Sequence, residues 1–113
     1  MACLTTNPFT MHGCTDANIY YAGATTVDFQ LECQNNSVGA SFSYTAKLQY
    51  YHPALRLWLD KDSKSGVFAN KTKVFSYSLA NKPAGQYRIF VNFDASPIIK
   101  PFSAQTSTFT VYR

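Results

Sequence analysis

At 113 residues, with 46% hydrophobic and 16% aromatic side chains, the chain is long enough for one hydrophobic core and too short for two. Only 14% of residues are charged, and the net charge of +4 is unevenly placed: residues 1 to 46 hold Asp16, Asp28 and Glu32 with no Lys or Arg, and all ten basic residues fall from Lys47 onward. These cations are scattered singly, which argues against a nucleic-acid groove, and no stretch reaches the roughly eighteen apolar residues that a membrane-spanning helix needs.

In chain order, the first seventeen residues, with Pro8 and Gly13, read as an irregular opening. Residues 18–21 make a short edge strand, and Ala22-Gly23 turns into a strand over 25–33 with Val27, Phe29, Leu31 and Cys33 on one side. A polar turn over 34–39 follows. From 40 to 50 the alternation is nearly unbroken: Ala40, Phe42, Tyr44, Ala46, Leu48 and Tyr50 against Ser41, Ser43, Thr45, Lys47 and Gln49. A period of two places each set on its own side of a pleated strand. Pro53 ends it, and Leu55, Leu57 and Leu59 then alternate inward against Arg56, Trp58 and Asp60 before a charged hairpin tip over 61–66. Residues 73–79 bury Phe75, Tyr77 and Leu79; residues 86–93 bury Tyr87, Ile89, Val91 and Phe93; residues 105–112 bury Phe109 and Val111. The stretch 95–104, with Pro97 and Pro101, reads as the least structured. No segment carries a sustained helical period. The expectation is an all-β, two-layer antiparallel β-sandwich of about seven to eight strands, a single domain over 1–113 with an irregular N-terminal segment over 1–17.

Leu79, then Ala84-Gly85-Gln86-Tyr87 and an alternating run, matches the corner before strand F of immunoglobulin-like domains, where a tyrosine hydroxyl bonds back across the turn. The cysteine that antibody domains carry two residues later is Ile89 here, so the usual bridge between sheets is not expected. Asn7-Pro8, Tyr21-Ala22-Gly23-Ala24-Thr25-Thr26-Val27, Leu55-Arg56-Leu57-Trp58-Leu59, Pro83-Ala84-Gly85-Gln86-Tyr87-Arg88-Ile89 and Phe109-Thr110-Val111 together resemble the Ig-like domain of fungal Kre9/Knh1-type cell-wall proteins. The resemblance spans most of the chain; the long strand over 40–51 and the lack of a Ser/Thr-rich tail depart from it. It implies a secreted, non-catalytic domain associated with cell-wall glucan, with no catalytic residue to transfer.

Cys3, Cys14 and Cys33 are an odd set, and Cys33 lies on the inward parity of its strand. The expected bridge is Cys14 to Cys33, closing a loop of about 20 residues and contributing roughly 3 kcal/mol by chain entropy; three reduced thiols are the alternative. Zinc is not expected, since neither the cysteine spacing nor His12 and His52 forms two ligand clusters. Asn35-Asn36-Ser37 and Asn70-Lys71-Thr72 match the glycosylation sequon at expected turns. Met1-Ala2-Cys3 does not begin a signal peptide, and the chain is read as a mature secreted one with an added initiator Met.

For catalysis, Asp16, Asp28, Glu32, Asp60, Asp62 and Asp94 include no evident buried pair, and His12 and His52 have no nucleophile motif beside them. Asp60 and Asp62 suggest calcium, but Lys64 and Ser65 stand where an EF-hand loop needs an oxygen ligand and a glycine. No enzyme activity, cofactor or metal is therefore expected. The candidate working surface comes from parity. Arg56, Trp58 and Asp60 share the outward face of one strand, and Arg88, Phe90 and Asn92 that of another, with Tyr51 and His52 extending the patch. If the two strands are neighbours, Trp58 and Phe90 form an apolar platform with a polar rim, suited to a sugar ring or to a protein hot spot. The alternative is a Trp58 covered by a loop or turned into the core. The expected partner is a glycan or a surface protein, and a homodimer through the remaining thiol or the aromatic face is a further reading.

Overall fold

The chain, seen here in a computed structural model, is described over residues 1–6, 11–33, 41–68, 72–95 and 99–113. Among these residues there is no helix, and the strands are β1 (Cys3–Thr5), β2 (Met11–Thr15), β3 (Ile19–Tyr20), β4 (Thr26–Cys33), β5 (Phe42–His52), β6 (Leu57–Phe68), β7 (Lys73–Ser78), β8 (Gly85–Ala95), β9 (Ile99–Gln105) and β10 (Phe109–Val111). They form two sheets: sheet I in the order β1-β2-β4-β7, and sheet II in the order β3-β10-β8-β5-β6, with β9 also on β8. Every ladder is antiparallel except β3 with β10. The β2-β4-β7 layer against β10-β8-β5-β6 is the A-B-E and G-F-C-C′ arrangement of the immunoglobulin sandwich.

Strand alternation builds the core. Val27, Phe29, Leu31, Met11, Tyr77 and Leu79 from the sheet I side meet Phe42, Ala46, Leu48, Tyr87, Ile89, Val91 and Phe93 from sheet II, all fully buried. Tyr44 stacks on Phe75 across the layers, ring centroids 5.6 Å apart. Tyr77 donates its hydroxyl to the Ala46 carbonyl oxygen at 2.6 Å, so one buried polar contact joins the two sheets. The expected tyrosine corner is present: Tyr87 donates to the Pro83 carbonyl at 2.6 Å. Gly85 holds it, with φ at +146° and a Tyr50 ring carbon 2.8 Å from where a Cβ would sit, so any side chain there meets both strain and a clash.

The chain departs from the sequence expectation in four places. The opening segment is not irregular throughout, since residues 3–5 and 11–15 pair as β1 and β2 and extend sheet I. The expected hairpin tip over 61–66 is strand: the reversal comes at 53–56, and β6 runs on to Phe68 as the edge of sheet II. Its Asp, Lys and Ser residues suit an edge that must resist pairing with other chains. The Pro-containing stretch before residue 105 forms β9, which continues the β10 side of β8 after a break at Thr106. There Thr106 donates its N–H to the Ile89 carbonyl and accepts the Ile89 N–H on its hydroxyl, at 2.9 and 3.0 Å. Lastly, Leu55 is 59% exposed in the turn and Leu57, the first residue of β6, is 43% exposed, so neither joins the core.

The disulfide also differs. Cys3 bonds Cys14, and Cys33 is buried outside that bridge. Cys14 points from the outer face of β2, whereas Cys33, opposite Met11, points into the core; side chains on opposite faces of one sheet cannot meet. Cys3 is the direct cross-strand neighbour of Cys14, with Cα atoms 4.1 Å apart. The sequons at Asn35 and Asn70 lie outside the described residues.

Candidate functional site

Sheet II turns one face to the core and the other outward. Trp58 and Phe90 sit on that outer face, but their strands are not neighbours, as β5 lies between β6 and β8. Register fixes the pattern: Tyr51 opposes Trp58, Gln49 opposes both Asp60 and Arg88, and Lys47 opposes Phe90. The middle strand thus supplies residues that parity alone assigned merely to solvent.

The parts interlock. The Arg88 guanidinium carbon lies 4.2 Å from the Trp58 ring centroid and 5.9 Å from that of Phe90. Tyr51 packs against Trp58 with centroids 5.3 Å apart and planes at 60°. Arg88 donates from Nε to Gln49 Oε1 at 2.7 Å, Gln49 donates from Nε2 to Asp60 Oδ1 at 2.9 Å, and Lys47 Nζ reaches Asp60 Oδ2 at 3.5 Å. Burial lowers the pKa of Arg88 from its ordinary value, the expected direction for a cation drawn from water onto aromatic rings. Trp58 is half-buried on the outer face and outside the core, with this guanidinium over its ring.

Of the expected residues, Trp58, Arg88, Phe90, Tyr51 and Asp60 form one constellation. Asn92 stands farther along β8, opposite Thr45, in a cleft of about 450 Å³ with Ser43, Asp94 and Ser103. Arg56 occupies the hairpin turn with φ at +55° and donates its N–H to the His52 carbonyl. His52 does not extend the platform. Being one residue past Tyr51 it faces the other way, edge-on to Tyr50, and its Nδ1 accepts the Leu55 N–H at 3.2 Å, which closes the turn. Gln49 and Lys47 are the members that sequence reasoning missed; their outward parity was visible, but the central position of β5 was not.

A β-bulge at Lys61 separates the two acids of the calcium-like run. Gln49 pairs with Asp60 and Leu48 with Asp62, so the carboxylates fall on opposite parities instead of sharing one face. Asp62 lies 4.0 Å from Lys82, away from Asp60. No protein-family model matches the chain and no curated protein matches it.

Proposed function

We propose that the chain is a non-catalytic binding domain that recognises a glycan along the outer face of sheet II. The observation that carries this reading is one sheet face with an aromatic half, Trp58, Tyr51 and Phe90, and a polar half, Thr45, Ser43, Asn92 and Ser103, paired across β6, β5, β8 and β9. Aromatic rings pack on the C–H faces of sugars, and fixed amides, hydroxyls and carboxylates take their hydroxyl groups. From Tyr51 to Ser43 the strand rises by roughly 27 Å, room for several linked sugar rings rather than one. Secretion and an association with cell-wall glucan belong to the same proposal, supported by the Cys3–Cys14 disulfide and the motif resemblance.

The test is a glycan array followed by titration with NMR and tryptophan fluorescence. Millimolar to micromolar binding is expected, abolished by Trp58→Ala with the far-UV spectrum intact; unchanged affinity in that variant would sink the reading. A protein partner is the second reading, favoured by Leu55 and Leu57, which leave apolar surface exposed at the hairpin end of β5 and β6. Binding to a surface protein lost on Leu55→Ser and Leu57→Ser, with glycans inert, would establish it instead.

A further inference from the structure

On the outer face of sheet I, Cys3 and Cys14 oppose one another across β1 and β2, and His12 stands two residues from Cys14 on the same side. His12 Nε2 lies 3.4 Å from Cys14 Sγ, and one ligand atom from each of the three residues falls within 4.8 Å of the other two. Two thiolates and an imidazole are the donor set of a thiophilic divalent cation. With Zn–S at about 2.3 Å and Zn–N at about 2.0 Å, tetrahedral zinc sets a sulfur and a nitrogen ligand roughly 3.5 Å apart, which His12 and Cys14 already meet. All three side chains are partly exposed, and the cluster opens on a cleft of about 500 Å³ whose lining includes Asp16, Asp28 and Glu32.

We infer that Cys3, Cys14 and His12 form a redox-gated zinc site: closed while the sulfurs are bonded to each other, and open to Zn²⁺ once a dithiol reductant has cleaved them. In the first step the dithiol loses two electrons and two protons and becomes a disulfide, while the Cys3–Cys14 bond breaks into two thiols. In the second, Zn²⁺ takes both sulfurs as thiolates and His12 through Nε2, and the two thiol protons pass to solvent. Among the described residues no fourth protein ligand joins the cluster, so water would complete the tetrahedron. The spacing of cysteines in the sequence hides this site, because only the pairing of β1 with β2 brings residues 3, 12 and 14 together. It shares no residue with the outer face of sheet II and stands independently of the glycan reading.

The test uses the whole chain, reduced without oxygen, with Co²⁺ as a spectroscopic probe and Zn²⁺ as competitor. Reduced protein should bind one equivalent of Co²⁺ with thiolate charge-transfer absorption and tetrahedral visible bands, both bleached by Zn²⁺. Oxidised protein, C3S and C14S should show neither, H12A should lose the tetrahedral bands, and C33A should behave as the parent chain. If reduction unfolds the chain, Zn²⁺ should restore the native circular dichroism. A folded, reduced protein without charge-transfer absorption, an unfolded one that Zn²⁺ fails to rescue, or bands that persist in C3S would each overturn the inference.

Discussion

The two outer faces of the sandwich share one core and carry opposite chemistry. That of sheet I presents His12, Cys14, Asp28, Gln30 and Glu32 from β2 and β4, and Val74 and Ser76 from β7, with no Lys or Arg on these strands' outward positions. That of sheet II presents Trp58, Tyr51 and Phe90 around the Arg88 guanidinium, with Lys47 beside Asp60. The charge asymmetry along the chain is therefore an asymmetry between faces, because β1, β2 and β4 all come from the segment that lacks cations. One side is built for a cation, and the other holds its own cation against rings.

Substitutions can separate the faces or join them. Phe29→Ala empties the shared core and should cost roughly 3–5 kcal/mol; chemical denaturation checks this, and loss confined to one face would break the picture of a common core. Cys14→Ser should cost the oxidised protein roughly 3 kcal/mol, the chain-entropy value for a loop of this length, while leaving affinity at sheet II unchanged. Tyr87→Phe removes the corner bond to Pro83 and should cost about 1 kcal/mol near neutral pH.

The same tyrosine sets an alkaline limit. Burial first, then the nearby Tyr50, opposed by Arg113, pushes its pKa from 10.0 up to about 12. The folded state then holds the proton more tightly than the unfolded chain, so this stabilisation is complete below pH 10 and is lost as pH climbs towards about 12. Melting temperatures across that window should fall less steeply in Tyr87→Phe than in the parent chain. The smallest effects lie on the surface: Arg88→Met should change stability by roughly 0.5–1 kcal/mol yet alter Trp58 emission clearly, and Lys47→Ala should stay within about 0.5 kcal/mol.

Strands with clean alternation were legible. Residues 42–50, 73–79 and 86–93 show the expected faces, and Tyr87 makes the corner bond that Gly85-Gln86-Tyr87 suggested. The N-terminal strands were not, since Cys3–Thr5 is too short for a period and gains its place only by pairing with β2. That omission also misdirected the disulfide. The run of acids and lysines after Asp60 looks like a loop by composition, yet a polar edge strand has the same composition. For the candidate site, parity gave the outward faces of Trp58 and Phe90, but strand order, which depends on distant pairings, decided that Gln49 and Lys47 lie between them.

The Tyr77 hydroxyl on the Ala46 carbonyl has a mechanical meaning. An oily interface alone lets two layers slip past each other by small steps, since apolar attraction has no preferred direction. A phenol anchored in a dry interior does have one, and slippage would strand a donor and an acceptor with no water to replace them. Sliding one layer over the other therefore carries the cost of an unmade buried hydrogen bond, about 1–3 kcal/mol, which sets a preferred alignment for the two faces.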